Sequence, residues 1–340
     1  MMYSLGVIYF PHEKEQIKLI GRMEKVLPSF LIKHALEITP IISNTIILEN
    51  LGMKVEEIQF PYFFAANDNV STAKFKRAGI RTKEFLSSKD ITQIIFDGKE
   101  PVEELYQAFS NQKKELKIFD KTDFYGIFIS EILKYICKKM GIKLQKLPVT
   151  MILDDMDEFF EDIIKNLCTK VRFLSIISLN YENFIPMVNE IYNEIGLVVR
   201  LDKNLKYKRG DYGIIINFSK DKDFVNSNKF SRNHITLNFG AEISNNSQNG
   251  ILITDIIIKS KNKDINKYPW AVTPAFCESF AYKLANADVK DRMILIKKQN
   301  TILTGLKSAG YEISNVKGVK GEIKAGILTD YGEKIKPKIV

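Results

Sequence analysis

The chain of 340 residues is 45% hydrophobic and 27% charged, a globular composition that excludes disorder or a fibre for its bulk and, at roughly 150 residues per domain, predicts two domains. Its net charge of +9 lies in the second half: residues 1–170 hold 24 basic and 24 acidic side chains, residues 171–340 hold 26 and 17. No uninterrupted apolar stretch approaches the roughly 20 residues of a membrane span, and the scattered cysteines Cys137, Cys168 and Cys277 support neither a disulfide framework nor a zinc site, so a cytosolic protein without a membrane partner is expected.

Residues 3–10 form an apolar run stopped by Pro11; with no charged region before it, the run predicts a strand rather than a secretory signal. Residues 13–26 carry Ile17, Ile20, Met23 and Val26 at helical spacing, and Pro28 and Pro40 bracket a second helical piece with Leu31, Ala35 and Leu36. Residues 41–50 are apolar enough to be buried. Gly52 suits a helix C-terminus, and residues 55–60 predict a strand ended by Pro61. Residues 65–72, AANDNVST, read as a loop, residues 74–83 as a basic helix, and residues 91–96 as a strand followed by an Asp97-Gly98 turn. A helix over 101–109 has Pro101 in its first turn.

The second half alternates strands with helices of 12 to 15 residues, the pattern of a parallel sheet covered on both faces. Strands are predicted over 147–153, 172–178 and 197–201, with helices over 157–168 and 182–195 and Gly196 as a C-cap. Further strands follow over 212–218, 234–239 and 251–258, then helices over 273–287 and 289–309, capped by Gly310, and a strand over 311–313. The expected organisation is an N-terminal α/β domain (1–122), a helical connection (123–146), an α/β domain (147–315) and a basic Gly/Lys-rich tail or hairpin (316–340). The fold class is therefore α/β in two domains.

The most specific pattern spans about 171–240: VRFLSIISLN, a helix, LVVRLDKN, then GDYGIIINFS. An apolar strand, a helix, a second strand ending in an acidic residue and a third strand resemble the first half of a Rossmann dinucleotide-binding domain. The resemblance implies a parallel sheet flanked by helices, with Asp202, 24 residues after Ser178, where that family holds the ribose hydroxyls. The glycine-rich loop is lacking: Ser178-Leu179-Asn180-Tyr181-Glu182-Asn183 contains no glycine to let the backbone approach a pyrophosphate. Ser178, Asn180, Asp202 and Asn217 then line the strand-end crevice. A phosphate there would be met by Lys203, Lys206 or Arg209 rather than by main-chain N–H groups.

A second candidate is Asp154-Asp155-Met156-Asp157-Glu158 after the strand 149–153. Its carboxylates offer either a Mg²⁺ site (Asp154, Asp155, Asp157) or, with Asp154 or Asp155 as N-cap, an acidic first turn that offsets the helix macrodipole; capping is the simpler reading. Cys277 in the first turns of its helix and the histidines His12, His34 and His234 read as packing residues. Of the 50 basic residues 42 are lysine, and arginine, the bidentate reader of phosphate, is scarce.

The sequence thus points to a Rossmann-like protein without evident catalytic machinery that binds a nucleotide-like small molecule, NAD(P) or another nucleotide, at its strand-end crevice. An NAD(P)-type oxidoreductase with an atypical loop, with Asn67 and Asp68 facing the cofactor, is one alternative. A basic scaffold for nucleic acid or an acidic protein is the other.

Overall fold

In a computed structural model the described residues are 2–10, 40–61, 72–97, 109, 116–206, 211–228, 230, 233–244, 250–287 and 291–338. The helices expected over 13–26 and 28–40, the loop before Thr72, Gly98, and all of the 101–109 helix but Phe109 lie outside them. The chain divides into two units. One is Met1–Lys121 with Asn262–Lys283, the other Thr122–Lys261 with Leu284–Val340.

The first unit is built on a five-stranded sheet of order β2-β3-β1-β4-β5, comprising β1 (Tyr3–Tyr9), β2 (Ile41–Leu48), β3 (Met53–Gln59), β4 (Gln93–Asp97) and β5 (Lys117–Ile118). All neighbours run parallel except β2 and β3. β1 sits in the centre, and its Leu5, Val7 and Ile8 are buried because both faces of a parallel strand are covered. The segment 41–50, expected to be buried, is instead the edge strand β2. Among the described residues it has one strand neighbour, and its Ser43, Asn44, Thr45 and Ile47 are exposed. Gly52, at φ 60°, closes a single 3₁₀ turn and directs the chain into β3. Helix α1 (Thr72–Ser88) places Ala78 and Leu86 against Ile8, Ile58, Phe60 and Ile94.

Residues 262–283 return to this unit, which no local pattern announced. Trp270 is buried and its Nε1–H donates to Glu57 Oε1 at 2.7 Å, and Tyr282 packs on Phe119 with ring centroids 5.4 Å apart.

The helical stretch 123–146 falls within the second unit. It forms α2 (Thr122–Met140) and a 3₁₀ turn; α2 is buried on all sides from Asp123 to Ser130 and then keeps Glu131, Lys134, Tyr135 and Lys138 as an outer stripe. Six strands follow: β6 (Val149–Ile152), β7 (Leu174–Ile177), β8 (Val199–Asp202), β9 (Gly213–Asn217), β10 (His234–Asn238) and β11 (Ile251–Ile253). Every pairing is parallel and the order is β11-β10-β9-β6-β7-β8. Counted from β6, that is the doubly wound order 3-2-1-4-5-6. The second unit is a Rossmann-like parallel sheet flanked by helices. Its crossovers carry α3 (Glu158–Cys168), α4 (Ile185–Ile195) and α5 (Lys222–Ser227), and Gly196 ends α4 at φ 73° as a left-handed C-cap.

The chain departs from expectation after β10. The run 251–258 is two strands, β11 and β12 (Asp255–Ser260), split at Thr254 between two sheets. β12 pairs antiparallel with β13 (Tyr311–Gly318), and β13 with β14 (Gly321–Glu322). Between them α6 (Pro274–Ala285), α7 (Met293–Lys297) and α8 (Gln299–Ser308) replace the two predicted helices, with Lys298 breaking the second. The expected tail contains the end of β13, β14 and α9 (Ala325–Ile335), whose Leu328, Tyr331, Gly332 and Ile335 are buried. Its 3.6-residue apolar spacing was hidden among glycines and lysines. No helix among the described residues is long and apolar enough to cross a membrane.

Candidate functional site

The strand order shifts the Rossmann correspondence by one strand. β7 is the second strand of the sheet rather than the first, so Asp202 ends the third strand, β8, at the sheet's edge. The place after the first strand belongs to Leu153-Asp154-Asp155-Met156-Asp157. The topological switch point, where such sheets keep ligands, lies between the C-terminal ends of β6 and β9.

That point is occupied by the chain's own groups. Asp154 accepts from Ser219 Oγ–H, from Lys220 N–H at 2.8 Å and from Asp221 N–H at 3.4 Å. Ser178 Oγ–H donates to Asp154 O at 2.9 Å and accepts from Asn180 N–H at 3.1 Å. Asn217 is fully buried, its Nδ2 donating to Asn238 Oδ1 at 2.6 Å and its Oδ1 accepting from Ser219 N–H at 3.1 Å. Asp155 accepts from Asn183 Nδ2 at 2.8 Å and from Met156 N–H, and these bonds, Asn183's first, hold its carboxyl below the usual range. The carboxylate of Asp154 thus stands where a ligand anion would sit.

The N-cap of α3 is neither Asp154 nor Asp155 but Asp157, whose side chain accepts from Phe160 N–H at 2.7 Å. Arg292 bridges Asp157 and Asp123, each at 3.0 Å, and lies over the Phe159 ring. The three carboxylates of the sequence motif are drawn to different partners. Among the described residues no three His, Cys, Asp or Glu are grouped to hold a metal ion.

The structure therefore brings Ser178, Asn180 and Asn217 together at the strand ends, whereas Asp202 turns its side chain into a separate cavity of about 260 Å³ on one face of the sheet. Strand register explains its walls. Thr150 on β6 pairs with Ser175 on β7, and Ser175 with Arg200 on β8, so the three side chains stand in one row across adjacent strands. Ile177 and Asp202 form the next row towards the C-terminal ends. Pro148, Leu205, Lys206, Asp211, Tyr212 and His234 complete the lining. The centre of a parallel sheet ordinarily presents an unbroken apolar face to a helix. Here a polar row faces open space, and only ten residues connect β8 to β9, fewer than the dozen or more of an ordinary helical crossover.

Asp202 is the electrostatic centre of this cavity. Its Oδ2 meets Arg200 at 2.6 Å and its Oδ1 meets Lys206 at 3.0 Å. Partial burial works to raise its carboxyl, but the bonds from Lys206 and Arg200 outweigh it and hold the group below the carboxylate range. Burial pushes the His234 imidazole down to about 4 against the opposing charge of Asp211, so it is neutral at pH 7. Sequence reasoning singled out Asp202 but missed Thr150, Ser175 and Arg200. The available signal was a polar residue in the middle of each apolar strand: VTMI, LSII and VRLD.

The cysteines behave as packing residues: all three are buried, burial pushes Cys137 and Cys168 up to about 12, and it raises Cys277 further. His12, His34, Asn67, Asp68 and Arg209 lie outside the described residues.

No protein-family model matches the chain, and no curated protein matches it. Among solved structures it is similar to L-tryptophan dehydrogenase from Nostoc punctiforme, at 9% identity and a TM-score of 0.33, over 99% of this chain and 88% of that one. A shikimate dehydrogenase in complex with NADP+ superposes at 11% identity and a TM-score of 0.32, over 89% and 95%. A putative aspartate carbamoyltransferase from Trypanosoma cruzi does so at 10% and 0.29, over 89% and 83%. These superpositions are loose, and the Rossmann-like character of the second unit rests on its own parallel strand order.

Proposed function

We propose that the second unit is a binding module for a nucleotide-like small molecule, nucleoside- or mononucleotide-sized, seated in the cavity on the β6-β7-β8 face. The observation that carries this reading is the row Thr150, Ser175 and Arg200, polar side chains in mid-strand that face a cavity instead of a helix. Asp202 accepts from ligand hydroxyl or amino groups, the two hydroxyls of the row offer both donors and acceptors, and Arg200 with Lys206 meets an anionic group. The volume, just under the roughly 300 Å³ at which ligand pockets usually begin, favours a compact ligand. At the switch point Asp154 and Asp155 oppose a pyrophosphate, and Ser178, Asn180 and Asn217, which hold the strand ends together there, lie outside the cavity.

Thermal unfolding against adenosine, AMP, ATP, NAD, NADP and S-adenosylmethionine tests the reading. A ligand present at about 100 times its dissociation constant adds roughly 2.7 kcal/mol and raises the midpoint by several degrees. The expected result is a shift by a nucleoside or mononucleotide that disappears in Ser175→Val and Asp202→Ala. A panel that moves nothing, or a shift that survives both substitutions, overturns it. A shift by NAD or NADP alone would favour the oxidoreductase reading.

A further inference from the structure

The free edge of the second sheet carries two features that the binding site does not use. Among the described residues β8 pairs with β7 alone, so one side of its main chain has no strand neighbour. Beside it, α4 is apolar well beyond the face it buries. At about 100° per residue, Phe184, Met187, Val188, Ile191, Tyr192, Ile195 and Ile185 span an arc of roughly 160°. Met187 and Ile191 are buried, but Ile185, Tyr192 and Ile195 are 43%, 57% and 43% exposed, and Val198, just before β8, is 71% exposed.

The direction of the exposed stripe follows from an ion pair. Glu190 of α4 meets Lys165 of α3 at 2.8 Å, which fixes the side of α4 that looks toward α3. The stripe Ile185, Tyr192 and Ile195 lies on the other side, toward the β8 edge. An unpaired strand flanked by exposed apolar side chains is a template for another chain.

We propose that this edge is the interface of a homodimer, in which β8 of one copy pairs antiparallel with β8 of a second about a two-fold axis through Leu201. Main-chain direction permits that register and charge selects it. Ser178 N–H donates to Asp202 O, so the main-chain groups of Asp202 and, two residues back, Arg200 point at β7, while those of Val199 and Leu201 point outward. An axis through Leu201 lets the two Leu201 residues exchange both hydrogen bonds. The same axis sets Arg200 opposite Asp202 of the second copy, twice. An axis through Arg200 would also pair outward-pointing groups, Val199 with Leu201 of the second copy, but would put arginine against arginine, which is unfavourable. Because the axis is perpendicular to the sheet, the two α4 helices meet on one face and cover each other's stripes, an isologous contact. The proposal shares Arg200 and Asp202 with the ligand reading, but Tyr192 and Ile195 do not line the cavity, so Tyr192→Glu tests the dimer separately.

Sedimentation equilibrium of the full chain, repeated over a hundredfold range of concentration, is the test. A dimer of twice the 39.1 kDa chain mass is expected. Tyr192→Glu, on the exposed stripe, raises the dissociation constant at least tenfold, as does Arg200→Asp. The double variant Arg200→Asp/Asp202→Arg restores dimerisation, since the exchanged charges face each other again. A monomer at every concentration overturns the proposal. So does a dimer that both single variants leave intact, or a double variant no better than Arg200→Asp. Thermal unfolding of Tyr192→Glu, expected to match the parent chain diluted to monomer, shows that loss of the dimer is not loss of the fold.

Discussion

Asp154 and Ser219 tie together the C-terminal ends of β6 and β9: the Ser219 hydroxyl, fully buried, donates to a carboxylate that also accepts from the main-chain N–H groups of Lys220 and Asp221. An acidic side chain after the first strand of a doubly wound sheet is poor chemistry for holding a phosphate, but it suits a staple across the switch point. Asp154→Ala leaves the buried hydroxyl without that acceptor and is expected to cost about 1–3 kcal/mol of stability. Urea unfolding of the variant should show a lower midpoint with an unchanged slope. An unchanged midpoint would mean that the staple contributes nothing.

His234 gives the stability a pH dependence with a definite sign. The folded protein holds its imidazole at about 4, whereas an unfolded histidine titrates near 6.5. Between those values the unfolded chain binds a proton that the folded chain refuses. This contribution is therefore complete above about pH 6.5 and is lost progressively as pH falls to 4. Its full size is on the order of 3 kcal/mol. His234→Gln removes it, so urea midpoints measured at pH 7 and pH 4.5 should differ less in the variant than in the parent. Equal differences in both proteins would count against a buried neutral imidazole.

Two glycines of α9 should respond in opposite directions to the same substitution. Helix propensity alone favours alanine by roughly 0.5–1 kcal/mol. At Gly326 a Cβ meets nothing within 4 Å, so Gly326→Ala should be neutral or stabilising. At Gly332 the Cβ would lie 2.2 Å from the carbonyl oxygen of Met140, a main-chain atom of α2 that cannot step aside. Gly332→Ala should cost about 1–3 kcal/mol despite its better propensity. Calorimetry of the pair checks this, and two midpoints that move the same way would show that α9 is not seated on α2 as described.

How much was legible in the sequence follows from range. Elements fixed by their own apolar periodicity were visible: β1, β6, β7, α3 and the Gly196 cap within a residue or two, and α4 but for its first turn, which is a 3₁₀ helix over Tyr181–Phe184. Alternation of strand and helix was enough for the α/β class and for a Rossmann-like second half. Strand order was not, because β6 and β7 look alike locally and only pairing with β9 makes β6 the first strand of the sheet. The same limit applies to the site. Asp202 was proposed from a strand-helix-strand-acid pattern, while Thr150, Ser175 and Arg200 become neighbours only through register between strands some 25 residues apart. The division of 251–258 between β11 and β12 rests on two different sheets competing for adjacent residues, and nothing within the run marks the change.

Because residues 262–283 return to the first unit, its N-terminal strands wait for partners that are made only after the parallel sheet of the second unit. Glu57 and its indole partner Trp270 are 213 positions apart. At synthesis rates of about 5–20 residues per second, β3 emerges roughly ten to forty seconds before that partner exists. All six strands of the parallel sheet, from Val149 to Ile253, are produced within this interval. The six parallel strands are thus all made while the surface awaiting Trp270, Phe276 and Tyr282 is still bare, and residues 284–340, which complete the second unit, follow last.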